Sequence, residues 1–497
     1  MTDRPGRSRD VWISRIAAAL FTLALGLALA LAVVWAIRGF AVFNYTEGVV
    51  LGSLAGFDSS GLAGLYPPDW SSPPLVLTLY PPVFFWASAA LDSILGASDP
   101  LVAPRLVSLV ATAGLGWCLL RIRSLHGAEL TWFLVLVGAA AMTPGVQRQL
   151  AAAQVDLLAA AWTVAGALLV LRAEKLDTPI WPAFACFAVA AFTKQSFVAA
   201  PAALLLLRAT TGRRREALRE AVGFVSFVAA GFLLLHVWTA GGFSRHTLAA
   251  VADSGSVRNF VAVMADSAPH VWVPIALLVL LGVRGRLRLG FPELWIALAT
   301  PIHFAAMWKT GASVNYLLEP VLALLVLGLV RSAEAPWSTG RLRTTRRPAL
   351  VVLIVLIVGS AITGIGAAEA IAEASRAPRI RMADIDRGFP LVEVEFFPAV
   401  LEREGRPYVS DPFAFGALAE SGTWDPSTLS ADLHARRVPV ALTSIDIEPP
   451  LADGATTEGM LFAYFWRMEA VCDGLRGQYT EMTHGPLHMW VPREGGD

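Results

Sequence analysis

The stretch Asn44 to Trp86, NYTEGVVLGSLAGFDSSGLAGLYPPDWSSPPLVLTLYPPVFFW, follows the first long apolar run and decides how the rest of the chain is read. It places an acid, Glu47, directly beyond a membrane span, then a loop rich in Gly, Ser and Pro, then an aromatic helix opened by Pro81-Pro82. Loops of that length inside compact proteins are usually functional or disordered. Gly48 beside the acid permits close backbone approach. A carboxylate just outside the bilayer, under such a loop, is a position for the base of a membrane enzyme; the plain alternative is an exposed acid at a span end.

The 497 residues are 56% hydrophobic and 16% charged, with a mean hydropathy of +0.58. Length alone leaves room for about three domains, but this composition is that of a polytopic membrane protein. The net charge is zero, and the arginines gather between apolar runs. Local charge asymmetry therefore carries the information, and nothing points to nucleic acid. Cys118, Cys186 and Cys472 form no paired framework and no CxxC spacing. The first run, Val11 to Ile37, exceeds a signal-peptide core and lacks a small-residue cleavage site, so it reads as an uncleaved span.

Arg4, Arg7, Arg9 and Arg15 place the N-terminus in the cytoplasm. Pro81 to Gly96 is too short to cross, at about 24 Å as a helix against a hydrocarbon core of about 30 Å, and it contains Asp92. Read as an amphipathic helix in the outer interface, it lets Arg121, Arg123 and His126 fall inside. The later runs then alternate: 101–120, 130–143, 155–171, 180–192, 197–207, 221–239, 269–283, 294–308, 316–330 and 350–368. With the first span this predicts about eleven crossings, every strongly basic loop being cytoplasmic. Residues 1–370 form the transmembrane domain, with the outer loop 38–100 carrying the site, and residues 371–497 a small extracytoplasmic α/β domain. In the latter, strands are expected at 391–397, 408–410 and 438–443 and helices at 398–404 and 460–475.

On the outer side stand Arg148 and Gln149 with Gln154 and Asp156, Lys194 and Gln195 in a tight FTKQS turn, and Lys309 opening KTGASVNYLLE with Asn315, Tyr316 and Glu319. A lysine at a span end often snorkels. Lys194 joins two runs too short to cross comfortably, which holds its ammonium near the membrane plane, where a lipid phosphate would sit. Arg105, inside a span, reads as a structural partner of Asp92 or Asp99. Asp156 reads equally as a helix N-terminal partner or as a catalytic group. Asp58 and Asp69 would bind a metal or sugar or, more commonly, make turns. His484 and His488 lack the carboxylate neighbour of a zinc site, and no HExxH, GxSxG, Walker or GxGxxG pattern occurs.

In Tyr45-Thr46-Glu47-Gly48, Tyr80-Pro81-Pro82-Val83-Phe84-Phe85-Trp86, Gln154 to Leu158, Phe192 to Ser196 and Gly311 to Glu319 the chain resembles the GT-C superfamily of integral-membrane glycosyltransferases, in particular the protein mannosyltransferases and aminoarabinose transferases (glycosyltransferase family 39). The resemblance covers roughly residues 12–370 and rests on the order of short motifs. One departure stands out: many relatives carry Asp-Glu at the first-loop position, where this chain has Thr46-Glu47.

The resemblance implies an inverting transfer of a sugar from a polyprenyl phosphate to an envelope lipid, glycan or protein on the outer face of the plasma membrane. A phosphate leaves without protonation, so one base and fixed positive charge suffice. Glu47 is the expected base and Lys194 the phosphate partner, with Arg148, Lys309, Tyr80, Asn315 and Tyr316 as further substrate-binding groups. No cofactor and no nucleotide site are expected, and a divalent metal is left open. The alternatives are a transporter or flippase of lipid-linked saccharides, disfavoured by the lack of repeated halves, and a non-catalytic GT-C scaffold, favoured by Thr46.

Overall fold

The computed structural model of the chain describes residues 45–97, 99–128, 152–249, 289–308, 314–334, 389–392, 397–401, 406–443, 468–484 and 487–493, with isolated positions between them. The expected spans 11–37, 269–283 and 350–368, and most of 130–143, lie outside these residues.

The first outer segment is not a loop throughout. It opens with α1 (Tyr45–Ser60), turns at Gly61, whose φ of +62° suits glycine, and continues into the single turn α2 (Leu62–Leu65). Glycines inside a helix cost about 1 kcal/mol each relative to alanine. Here they stand where backbones meet. A Cβ on Gly52 would lie 2.9 Å from that of Ser410, and one on Gly56 would lie 2.5 Å from the Gly64 carbonyl oxygen.

Helix α3 (Val83–Leu95) follows Pro81-Pro82 and stops at Gly96 in the left-handed region. It is about 20 Å long, buries Phe84 and Phe85, and exposes Trp86, Ile94 and Leu95. That shape suits an interfacial helix.

The apolar runs that follow fold as helices: α4 (Val102–His126), α5 (Val155–Leu176), α6 (Trp181–Thr193), α7 (Ala199–Thr210), α8 (Arg214–Trp238), α9 (Phe291–Met307) and α10 (Leu318–Glu334). Among the described residues, α4, α5 and α8 are long and apolar enough to cross a membrane. Three of the starts have a local cause. The Asp99 carboxylate accepts from the Leu101 amide before α4, and Pro182 and Pro292 occupy first turns, where a missing N–H costs nothing. Helices α4 to α7, α9 and α10 share one core, including Ile122, Val164, Phe187, Ala203, Trp295 and Val326. Helix α8 buries little more than Ala217 and Leu235, and presents Val222, Val225, Phe227, Leu233, Leu234 and Val237 outward. An outward face that apolar belongs against lipid.

The C-terminal part builds a four-stranded sheet in the order β1-β2-β4-β3, with β1 (Leu391–Val392), β2 (Ala441–Thr443), β3 (Tyr479–His484) and β4 (Leu487–Pro492). β1 and β2 are parallel; the other two pairings are antiparallel. Helices α11 (Phe397–Leu401), α12 (Pro412–Glu420), α13 (Ser427–His434) and α14 (Glu469–Gln478) accompany it. The strand expected at 408–410 does not join this sheet. Val409 bridges Leu75 in the first outer segment instead, and Trp70, Leu75 and Leu77 share a core with Tyr408, Phe415 and Trp424. The Tyr45 hydroxyl donates to Asp411 Oδ1 at 2.6 Å and accepts from the Phe413 amide at 2.8 Å. The C-terminal part is therefore seated on the segment that carries Glu47.

Candidate active site

Glu47 lies in the first turn of α1 and is completely buried. Arg105 Nε and Nη2 donate to its two oxygens, each at 2.8 Å, and the Ala153 amide donates to Oε1 at 2.8 Å. This is a bidentate, charge-assisted pair. It corrects the expected partners of Arg105: Asp99 stays before α4 and accepts from the Leu101 amide, while Arg105, one turn inside and 1% exposed, meets the carboxylate that α1 delivers at that depth.

Lys194 ends α6, is 3% exposed, and donates from Nζ to Asp156 Oδ1. Its ammonium also lies over two aromatic rings, 5.6 Å from the centre of Tyr80 and 4.9 Å from that of Tyr316. Such contacts strengthen when desolvated. Asp156 stands in the first turn of α5, also completely buried, and its Oδ2 has no hydrogen-bond partner among the described residues.

The two pairs meet at one helix end. Glu47 holds the Ala153 amide, and Asp156, three residues on, holds Lys194. Of the expected site residues the structure therefore gathers Lys194, Tyr80 and Tyr316 into one contact group and puts Glu47 at the neighbouring turn. Asn315 shares the short turn Val314–Leu317 with Tyr316. Arg148, Gln149 and Lys309 lie outside the described residues.

Asp69 makes a turn, accepting from the Ser71 amide and hydroxyl, bonds that lower its pKa. Asp58 has its pKa raised by burial and then by the charge of Asp92. His488 pairs with Glu481 across the β3-β4 hairpin. Among the described residues no three His, Cys, Asp or Glu side chains group as a metal site.

Two further buried groups stand near the site: Glu319, which the sequence placed on the outer side without a role, and His246, which it missed. Glu319 accepts from His303 Nε2 at 2.6 Å, from Trp295 Nε1 at 2.9 Å and from the Ala200 amide at 3.3 Å, tying α7, α9 and α10. His246 accepts from the Thr78 amide at Nδ1 (3.2 Å) and donates from Nε2 to the Pro67 carbonyl at 2.9 Å, pinning the outer segment from both ends. Burial pushes its pKa down to about 4. Glu319 was visible in its motif, whereas nothing around His246 signals burial.

Comparison with solved structures bears on the fold. ArnT from Cupriavidus metallidurans bound to undecaprenyl phosphate aligns over 95% of this chain and 97% of its own, with a TM-score of 0.58 and 14% identity. The apo state of that protein gives 0.56 at the same identity and coverage. The Archaeoglobus fulgidus oligosaccharyltransferase in the apo form gives 0.52 at 11% identity, over 92% of this chain and 73% of its own. The chain has the GT-C fold. No family model matches the sequence, and no curated protein matches it. The GT-C fold is thus carried here at 14% identity or less, and the site rests on this chain's own residues.

Proposed function

We propose that this chain is an inverting glycosyltransferase that moves a hexosyl or pentosyl group from a polyprenyl phosphate to an envelope lipid, glycan or protein. On this reading it is a multi-pass plasma-membrane protein with a cytoplasmic N-terminus, a GT-C domain over residues 1–370 and an extracytoplasmic domain over 371–497. The observation that carries the reading is the buried ammonium of Lys194, set between Tyr80 and Tyr316 beside Asp156, in a GT-C fold one of whose solved examples binds undecaprenyl phosphate.

The acceptor oxygen or nitrogen attacks the anomeric carbon as the carbon–oxygen bond to phosphate breaks, and the electron pair leaves with the phosphate. Lys194 is the fixed charge that meets it. The donor carries its own leaving group, so the reaction needs no nucleotide cofactor. The acceptor proton needs a base. Glu47 was the expected base, but Arg105 and the Ala153 amide engage both of its oxygens. Asp156 keeps one oxygen without a described partner. When the donor phosphate takes a share of Lys194, the Asp156 carboxylate is released further. We therefore assign the base to Asp156 and give Glu47 a positioning role through Ala153.

The test is transfer by the purified full chain in nanodiscs, using undecaprenyl-phosphate-linked labelled sugars and an envelope extract as acceptor. Wild type transfers label, while folded Asp156→Asn loses at least a hundredfold. Saccharide transport without transfer by the reconstituted protein would overturn the reading.

A further inference from the structure

Buried side-chain atoms without partners are rare in native proteins, because each costs the desolvation of a polar group. Here several of them belong to residues bonded to Lys194 or within two positions of it or of Tyr80 in the chain: Thr78 Oγ1, Asp156 Oδ2, Gln195 Oε1 and Ser196 Oγ have no partner among the described residues. They come from segments already tied together. Gln195 Nε2 donates to the Leu79 carbonyl at 3.0 Å and to the Thr247 carbonyl at 3.3 Å, while Thr78 precedes Leu79 and Tyr80 lies under the Lys194 ammonium.

The orientation of the Gln195 amide follows from chemistry. Both of its partners are carbonyl oxygens, which accept and never donate, so the nitrogen must face them and Oε1 must face away. Oε1 is thus a fixed acceptor waiting for an O–H or N–H. An ionised phosphate brings no such donor, whereas a sugar brings several. The neighbouring Thr78 hydroxyl either donates or accepts, and its residue is 1% exposed.

Resting on the proposed transferase reading, we infer that Gln195 and Thr78 form a sugar subsite beside the phosphate partner Lys194, with Gln195 Oε1 selecting a donor glycan that presents a hydroxyl or amino group at that point. A site built to hydrogen-bond such a group rejects analogues that lack it more strongly than an apolar pocket does.

The experiment measures binding of two probes to the full chain in nanodiscs: undecaprenyl phosphate, and undecaprenyl phosphate bearing a single glucose, mannose, arabinose or 4-amino-4-deoxyarabinose. Gln195→Leu and Thr78→Val are each expected to weaken the best sugar-bearing lipid about tenfold and leave the bare lipid within twofold. Thr78→Val removes a hydroxyl that makes no described bond and keeps the backbone amide on His246, so this variant stays folded and decides the matter if Gln195→Leu does not. Equal weakening of both lipids, or none, overturns the subsite and leaves the transferase reading standing. A wild-type chain that binds neither lipid overturns both.

Discussion

The Glu47 and Arg105 pair separates a positioning role from a catalytic one. Both side chains are completely or almost completely buried, 0% and 1% exposed. Glu47→Gln breaks this buried pair by removing its negative charge from beside the guanidinium, a change that costs about 3–5 kcal/mol. The double variant Glu47→Gln with Arg105→Met removes both charges, keeps an amide oxygen to accept from Ala153, and fills the space of the arginine stem. Replacing both partners of a buried pair with well-packed residues is often neutral or stabilising, by about 1–4 kcal/mol. In detergent, the single variant should lose its monodisperse peak on heating well below wild type, and the double variant should recover most of that loss. Sugar transfer is then measured on the double variant. If Glu47 positions, transfer survives at a reduced rate; if Glu47 takes the proton, a stable double variant is inactive. A stable, inactive double variant would refute the assignment of the base to Asp156, and a double variant as unstable as the single one would refute the pairing argument.

Removing the other buried pair together, Asp156→Asn with Lys194→Met, should leave a folded chain that binds undecaprenyl phosphate at least tenfold more weakly in a nanodisc titration. His246 ties stability to pH. Its pKa falls from 6.5 to about 4 on folding, so the stability it supports is present in full above about 6.5 and is lost as pH falls toward 4, by about 3 kcal/mol in all. His246→Gln should flatten that dependence in thermal melts between pH 7 and 4. Tyr45→Phe deletes the hydroxyl that joins α1 to Asp411 and Phe413; it should cost about 1–3 kcal/mol and speed limited proteolysis of the C-terminal part without touching Lys194.

Where apolar runs dictated helices, the sequence was a good guide: α4 to α7, α9 and α10 lie within a few residues of the runs that predicted them. Where glycine and serine were read as loop, it was not. Helix α1 carries Gly48, Gly52 and Gly56, and the last two are where it closely approaches Ser410 and Gly64, which no local periodicity records. The expected strand at 408–410 failed for a related cause, since its partner, Leu75, is more than three hundred residues away in the chain. Helices α12 and α13 and the β3-β4 hairpin went unread because their segments are short and mixed in polarity. Lys194 was legible because a cation in a tight turn between short apolar runs has nowhere to go but the membrane plane. Tyr80 and Tyr316 followed from the motifs around them. The partner of Arg105 was not legible, since a depth match between two helices is a tertiary fact.

The same depth match bears on Thr46. Many GT-C relatives were expected to carry an acid there, and its absence here argued for a scaffold. In the structure the position neighbours Glu47, which accepts from Arg105 and the Ala153 amide. The carboxylate with an open oxygen stands on the next segment, at Asp156, three residues beyond that amide and in direct contact with Lys194. Because one buried pair fixes the backbone from which the other projects, the acid at the first-loop position and the acid at the head of α5 act on one small region. A chain that keeps Glu47, Arg105, Asp156 and Lys194 retains a rigid cation with a carboxylate beside it. The loss of an acid at position 46 therefore removes one charge from the first turn of α1 and leaves that apparatus intact.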